Sequence, residues 1–220
     1  MWAYKLLFLD VLFLTKTDRV VFVDADQVVL GDLAEVADFD LQGAPYAMVP
    51  FCSGADANPL TTGHRFWDQG FWKDLLRGKP YHISALFVVD LPTFRFVADR
   101  LRAAYQAMAP DENSLQNLDQ DLPNFLNAQN VPLASLPTEW LYCEAWCAPS
   151  VKAKAKSIDM CQNPLTKEYK LDMARRIADP LWTRLDDYLA RIEAGDDNGL
   201  LPFRQALAGA EVAVRFGDEL

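Results

Sequence analysis

Asp24 and Asp26 follow directly on an apolar run, and their spacing suits metal chemistry. The run, residues 20–23, is β-branched and aromatic without polar alternation, which predicts a buried strand. Residues i and i+2 of an extended chain point the same way, so both carboxylates can face one hard cation. Carboxylate oxygens suit Mg²⁺, Ca²⁺ or Mn²⁺. The alternative is an Asp-rich turn that starts the next element, because Asp-x-Asp also arises by chance.

A second group of acids and amides, Asn-Leu-Asp-Gln-Asp, occupies residues 117–121. Such side chains at short spacing in a polar turn could line a sugar pocket, because they hydrogen-bond hydroxyl groups. The alternative is a helix cap, in which Asp119 or Asp121 accepts free backbone amides ahead of Pro123. Both interpretations stay open, since different residues of the cluster can serve each.

Two further polar residues interrupt apolar segments. Lys5 lies in an otherwise apolar helical stretch, where a lysine commonly extends its ammonium along the helix to the surface. His82 begins an apolar strand and suits a core histidine as well as a site residue. Ser84 and the Ala85 backbone follow it and could bind sugar hydroxyls.

Strands and helices alternate along the chain. Apolar periodicity and turn residues predict helices at 2–14, 92–105 and 121–129, a helical turn at 32–38, a turn and strand over 43–50, and further strands at 20–23, 83–89 and 131–136. The polar residues 52–63 predict a flexible loop. This order indicates an α/β sheet, mostly parallel. Open sheets of this kind bind ligands at the carboxyl ends of central strands, which is where we expect Asp24 to lie.

Composition excludes several classes of protein. A chain of 220 residues with 51% hydrophobic residues can bury one good core. Its net charge of −10 argues against a nucleic-acid surface, which would be basic. The sequence contains no apolar run of about 18 residues, so no membrane-spanning helix is expected. Residues 1–14 lack the basic leader and cleavage site of a signal peptide.

The four cysteines permit two disulfides in three connectivities. The alternative is a set of unrelated thiols, some of them buried. A zinc site is disfavoured, because no Cys-x-x-C or histidine pattern accompanies them. Residues 217–220, Gly-Asp-Glu-Leu, are similar to the retention signal Lys-Asp-Glu-Leu, so we favour disulfides in a lumenal compartment.

Aromatic residues form two patches, one with Trp67, Phe71 and Trp72 and one with Trp140, Tyr142 and Trp146, and most of them are expected in the core. The segment Gly-Phe-Trp at residues 70–72 follows the polar loop and is the better candidate for an exposed platform. Such a platform could touch apolar surface on a client protein or stack on sugar rings.

These features together resemble the A-type nucleotide-sugar glycosyltransferases. The fuller pattern resembles the catalytic domain of the UDP-glucose:glycoprotein glucosyltransferases of the endoplasmic reticulum. The resemblance covers about residues 2–180 and fades past about residue 183. Its segments occur in order at residues 2–13, 22–27, 43–46, 50–52, 81–86, 113–115, 117–124, 139–141, 143–144, 146–147, 158–159 and 163–164.

The resemblance implies roles for individual residues. It adds Asp159 to Asp24 and Asp26 as a third metal ligand, although Asp159 alone would be an ordinary loop acid. The implied cation is Ca²⁺, with Mn²⁺ as the alternative. The implied donor contacts are Lys5, Asp24, Ala25, Asp26, Ser84 and Ala85. Asp119 is implied in catalysis or acceptor activation, with Gln120 and Asp121 as sugar or positioning contacts.

The resemblance also implies fold and activity. We expect an α/β, A-type (Rossmann-like) glycosyltransferase fold that is incomplete at the N-terminus, since only one helix precedes residue 20. Residues 1–182 would be a partial catalytic domain and residues 183–220 a helical or flexible tail. The expected activity is retaining transfer of glucose from UDP-glucose to high-mannose glycans of misfolded glycoproteins in the endoplasmic reticulum lumen. The alternatives are another metal-dependent sugar transferase, or an inactive remnant that binds glycan or client.

Overall fold

The computed structural model describes residues 4–13, 16–111, 114 and 116–195. Its helices are α1 (Tyr4–Leu7), α2 (Leu9–Leu12), α3 (Ala34–Ala37), α4 (Gly70–Leu76), α5 (Leu91–Met108), α6 (Leu118–Ala128), α7 (Lys170–Ala178) and α8 (Leu181–Glu193). Its strands are β1 (Arg19–Val23), β2 (Gln27–Val29), β3 (Tyr46–Pro50), β4 (His82–Asp90), β5 (Leu133–Ser135) and β6 (Ser157–Asp159). Short 3-10 turns occupy Gly54–Asp56, Pro59–His64, Phe66–Asp68, Thr138–Trp140 and Pro149–Lys154.

Four of the described strands form one sheet in the order β1-β4-β3-β5. β4 pairs antiparallel with both β1 and β3, whereas β3 and β5 are parallel. The prediction of a mostly parallel sheet is therefore wrong. The apolar run of β4 is compatible with either direction, so the sequence pattern did not encode strand polarity. β1 lies at the edge of this sheet and is half-buried, which also corrects the expectation of a buried central strand.

The described residues divide into two compact units, each with its own packing. The first contains α1–α6 and the four-stranded sheet. Its core comes mainly from β3, β4, α5 and α6, with Tyr46, Phe87, Phe94 and Leu101 fully buried. Burying each of these large side chains contributes about 1.5–3 kcal/mol. This core fixes the sheet and the start of α6, which carry the candidate site.

The start of α5 agrees with the sequence prediction. Asp90 caps the helix, because its carboxylate accepts the backbone N–H of Thr93 at 2.8 Å. Pro92 lies in the first turn, where its missing N–H costs nothing. The predicted N-terminal helix is instead divided into α1 and α2, which meet at Phe8.

The second unit contains β2, β6, α7 and α8. β2 and β6 pair antiparallel, with Gln27 opposite Asp159. Disulfides join Cys52 to Cys147, with Cα atoms 5.2 Å apart, and Cys143 to Cys161, with Cα atoms 6.0 Å apart. The paired interpretation of the four cysteines is thus confirmed.

The segment predicted as a flexible loop is folded. It begins at the disulfide of Cys52 and contains two 3-10 turns. Within the second unit, Thr61 Oγ1 donates to the carbonyl of Ala145 at 2.5 Å, and Asn58 Nδ2 donates to that of Glu144 at 2.8 Å. Polar composition alone predicted a mobile loop because it did not reveal these long-range contacts.

The structure describes only part of the predicted C-terminal tail, residues 183–220. α8 continues across the predicted boundary at residue 182, and the proposed domain division stays a prediction. Residues 217–220 lie outside the described residues. Among the residues that are described, none of the helices has the length and apolar character needed to cross a bilayer.

Candidate functional site

A polar cavity of about 360 Å³ lies in the first unit. Lys5 projects into it from α1, Asp24 follows β1, and Ser84 belongs to β4. The start of α6 and the two residues before it supply the rest of the lining, namely Gln116, Asn117, Asp119 and Gln120. The structure therefore brings together five residues that the sequence had implicated: Lys5, Asp24, Ser84, Asp119 and Gln120. It also adds Gln116 and Asn117.

Lys5 is the central cation of this cavity. Its Nζ lies 3.2 Å from Asp24 Oδ1, 2.5 Å from Asp119 Oδ2 and 3.2 Å from the carbonyl oxygen of Ser84. An ammonium has three protons, and these three acceptors match them. The Lys5 side chain is only 12% exposed, which excludes the surface-lysine alternative. Lys5 thus neutralises two carboxylates that would otherwise repel each other across the cavity.

Asp119 is the most constrained acid of the site. It is 8% exposed, and besides the ion pair with Lys5 it accepts a hydrogen bond from Ser84 Oγ at 2.7 Å. Ala85 contributes through its backbone, because its carbonyl accepts the N–H of Asp24 at 2.8 Å and so extends the β1–β4 ladder past Val23. A carboxylate held between a cation and a hydroxyl is preorganised for contacts with a polar ligand.

Asp121 lies behind the cavity and is not among its lining residues. It is 2% exposed and accepts hydrogen bonds from the Tyr81 hydroxyl and from the backbone N–H of Asn117 at 2.9 Å. Burial raises the pKa of Asp121. The interpretation of Asp119 or Asp121 as the N-cap residue is wrong, because α6 begins at Leu118 with Asn117 at its N-cap and both acids lie inside its first turn. The carboxylate of Asp121 still accepts one backbone amide there, whereas that of Asp119 is taken up by Lys5 and Ser84. Sequence reasoning missed Tyr81, because a single tyrosine before a strand does not reveal where its hydroxyl points.

His82 is a core residue. It is fully buried, its Nδ1 lies 3.2 Å from Asn124 Oδ1, and its Nε2 lies 2.8 Å from Ser135 Oγ. Burial lowers the pKa of His82 to about 4, so the ring is neutral near pH 7. Of the two interpretations left open by the sequence, the structural one is supported.

This histidine makes stability depend on pH. The unfolded chain binds the His82 proton near pH 6.5 and the folded chain only near pH 4, so stability is lost as the pH falls through this window. When the pH is lowered from 7 to 4, we expect protonation of His82 to lower the free energy of unfolding by about 3 kcal/mol. Urea unfolding at both pH values, compared with His82→Gln, isolates this contribution from other groups. An equal loss of stability in the variant would contradict the assignment.

The aromatic patches divide largely as expected. Trp67, Trp140 and Tyr142 are buried, at 5%, 1% and 2% exposure, whereas Phe71 is 63% exposed. Trp72 is half-buried.

Two of the candidate metal ligands, Asp26 and Asp159, lie beside or within the paired strands of the second unit. Asp26 precedes β2 and Asp159 ends β6, and the carbonyl of Asp26 accepts the N–H of Met160 at 3.1 Å. Asp159 is 3% exposed, and one of its carboxylate oxygens accepts from Gln27 Nε2 at 3.2 Å. Lys170, the first residue of α7, forms an ion pair with Asp26.

The third candidate ligand, Asp24, belongs to the first unit. In the described part of the chain, no three side chains of histidine, cysteine or acid type form a metal-holding cluster. The chemistry of the donor set nevertheless fits a hard divalent cation, because all three are carboxylates. Asp24 pairs with the ammonium group of Lys5, and Asp26 pairs with that of Lys170. Both carboxylates therefore already attract a positive charge.

Comparison with known proteins identifies the family. Residues 1–192 match the family described as glucosyltransferase 24. The chain belongs to this glucosyltransferase family. It is 53% identical over 194 residues to UDP-glucose:glycoprotein glucosyltransferase 1 of Homo sapiens and 52% identical over 198 residues to the Drosophila melanogaster UDP-glucose:glycoprotein glucosyltransferase. Each match covers 87% of this chain, which spans 12% of the length of either relative.

Solved structures of glycosyltransferases share the fold of this glucosyltransferase chain. The bifunctional glycosyltransferase WbbM superposes with a TM-score of 0.52 at 19% identity, covering 84% of this chain and 37% of that one. Mouse xyloside xylosyltransferase 1 gives a TM-score of 0.51 at 16% identity, covering 74% of this chain and 65% of that one. The predicted α/β, A-type glycosyltransferase fold is therefore confirmed.

Proposed function

We propose that this chain binds UDP-glucose and transfers its glucose, with retained configuration, to high-mannose glycans of misfolded glycoproteins. One observation carries the proposal: the cavity in the first unit gathers Lys5, Asp24, Ser84, Asp119 and Gln120 from separate parts of a glucosyltransferase-family chain. The names of the relatives supply the donor and the class of acceptor. The cavity supports the same conclusion, since cations, acids and amides are the groups that bind diphosphates and sugar hydroxyls.

The residues of the cavity divide the work of binding. Asp119 and Gln120 are proposed to contact the glucose and the attacking acceptor hydroxyl. Lys5 is proposed to contact the donor diphosphate, which requires it to exchange one of its three present acceptors for phosphate oxygen. Ser84 and the Ala85 backbone are proposed to bind sugar hydroxyls. Fixed donors and acceptors of this kind lower the barrier by orienting the reactants before reaction.

A divalent cation is proposed to be held by Asp24, Asp26 and Asp159. Asp24 and Asp26 are also proposed to lie close to the donor, with the backbone of Ala25 between them as a further donor contact. Ca²⁺ is favoured and Mn²⁺ is the alternative, because all three side chains offer oxygen. A bound cation would supply charge neutralisation to the departing diphosphate. Binding it would release Lys170 from Asp26, since the two cations compete for one carboxylate.

The proposed reaction is a front-side displacement. The acceptor oxygen forms a bond to the anomeric carbon on the face from which UDP departs, and the bond from that carbon to the diphosphate oxygen breaks. The acceptor proton passes to the departing diphosphate. Asp119 orients the acceptor. The alternative is a double displacement with Asp119 or Gln120 as the nucleophile. The ion pair with Lys5 makes the Asp119 carboxylate a poor nucleophile for that route.

We place this activity in the lumen of the endoplasmic reticulum. Two disulfides support an oxidising compartment. Fluorescence imaging of the expressed chain beside a lumenal marker tests this location.

Transfer of labelled glucose tests the function. The chain is incubated with calcium, UDP-glucose carrying ¹³C at the anomeric carbon, and a glycoprotein with high-mannose glycans, either heat-denatured or native. We expect an α-linked glucose on the glycan, seen by NMR, and more of it on the denatured acceptor. Release of free glucose alone would reduce the function to donor hydrolysis, and the absence of any donor turnover would favour a binding remnant. Equal transfer from UDP-galactose would favour another sugar transferase.

A further inference from the structure

Tyr81 lies just ahead of β4 and is 3% exposed. Its ring stacks on Trp67, with centroids 5.4 Å apart and planes 6° apart, and on Phe51 with centroids 6.0 Å apart. Phe66 and Trp72 meet it edge to face, at centroid distances of 5.4 Å and 5.0 Å. Contacts of both kinds restrict the ring to one orientation. Packing therefore fixes the direction of the Tyr81 hydroxyl.

That hydroxyl joins two residues at the start of α6. Tyr81 Oη donates to Asp121 Oδ1 and accepts from Gln120 Nε2 at 3.3 Å. The second oxygen of Asp121 accepts the backbone N–H of Asn117, the residue at the N-cap position of α6. The hydroxyl thus links the aromatic cluster to the turn that carries Asp119 into the cavity.

Burial keeps the proton on the tyrosine. It raises the pKa of Tyr81 well above 10, and the neighbouring Asp121 carboxylate raises it further. The same hydrogen bond acts on Asp121 in the opposite direction, lowering a pKa that burial raises. Tyr81 is the donor and Asp121 the acceptor in this hydrogen bond.

We propose that Tyr81 is a positioning residue that sets the sugar specificity of the cavity by fixing the orientation of the Gln120 amide. The proposal rests on the proposed function, in which Gln120 contacts the glucose. An amide whose Nε2 donates to a fixed acceptor cannot turn over, so its carbonyl oxygen stays on the opposite side. A fixed acceptor distinguishes sugars that differ in the direction of one hydroxyl, because the mismatched sugar leaves a polar group unpaired.

The test compares two tyrosine-to-phenylalanine variants. Tyr81→Phe keeps the ring in its aromatic cluster and removes only the hydroxyl. Tyr46→Phe is the matched control, because Tyr46 is also fully buried in the first unit and its hydroxyl has no hydrogen-bond partner among the described residues. We expect Tyr81→Phe to lower turnover of UDP-glucose about 10- to 100-fold with little change in KM. We expect its preference for UDP-glucose over UDP-galactose to fall about tenfold.

A second measurement is independent of turnover. Exchange of the Gln120 side-chain amide protons with solvent, followed by NMR, should be slow in the unsubstituted chain and in Tyr46→Phe. In Tyr81→Phe it should become as fast as that of Gln129, which is exposed beyond the other end of α6. Should Tyr81→Phe fold poorly, Asp121→Asn weakens the same link with the ring untouched, and the same faster exchange is expected.

Two results would overturn the positioning role. One is a Tyr81→Phe chain with the turnover and selectivity of Tyr46→Phe. The other is Gln120 exchange that is unchanged by loss of the hydroxyl, and this decides the matter even if the chain proves unable to bind UDP-glucose. Failure of the unsubstituted chain to bind or turn over the donor would instead contradict the proposed function.

Discussion

Replacing Asp119 with asparagine is expected to lower glucose transfer about 10²- to 10⁴-fold. The asparagine keeps the shape of the side chain and one oxygen that can accept from Ser84 Oγ. It removes the charge that pairs with Lys5 at 2.5 Å and that would orient the attacking hydroxyl. Single-turnover measurements with labelled UDP-glucose report the rate of the chemical step separately from donor binding.

Loss of this carboxylate also affects stability, because it removes one partner of a largely buried ion pair. We expect the free energy of unfolding to fall by about 1–3 kcal/mol, so circular dichroism must confirm that the assayed protein is folded. Asp99→Asn is the control, since it makes the same chemical change at a side chain that is 97% exposed. Normal transfer by a folded Asp119→Asn chain would remove Asp119 from the proposed mechanism.

Replacing Asp26 with asparagine is expected to abolish calcium-dependent transfer. The change removes a carboxylate that already attracts the ammonium of Lys170. Asp159→Asn should be milder and raise the calcium concentration for half-maximal rate about tenfold, because an amide retains a ligand oxygen but loses the charge. Calorimetric titration of calcium into each variant measures the same loss without relying on activity.

Asp172→Asn is the matched control for these two variants. Asp172 lies in the same unit, its side chain is 64% exposed, and its partner is the neighbouring Arg175. Calcium affinity should be unchanged by this substitution. If Asp26→Asn and Asp159→Asn also bind calcium as the unsubstituted chain does, the metal assignment is wrong.

Much of the fold could be predicted from local patterns. The apolar run of β4 and the proline after Asp90 located the long strand and the helix that follows it. Strand direction could not be predicted, because an apolar strand packs equally well either way. The number of cysteines indicated disulfides, but the pairing of Cys52 with Cys147 depends on a fold that brings distant segments together.

The candidate site was predictable where a pattern or a family resemblance marked it. Asp24 stood out by its position after a strand, whereas Asp159 was selected only by resemblance. The environment of Lys5 could not be inferred, since its acceptors on Asp24, Ser84 and Asp119 come from three separate regions of the chain. The role of Tyr81 was hidden for the same reason, because its link to Asp121 exists only after folding.

The most direct test is a calorimetric titration of UDP-glucose into this chain, with calcium and again with a chelator. UDP-galactose and UDP alone serve as comparison ligands. We predict binding of one UDP-glucose per chain that requires calcium, is weaker for UDP-galactose, and is lost when Lys5 is replaced by methionine. Absence of binding, or binding that is equal for all three ligands and indifferent to the chelator, would contradict the proposal that this cavity is a UDP-glucose site.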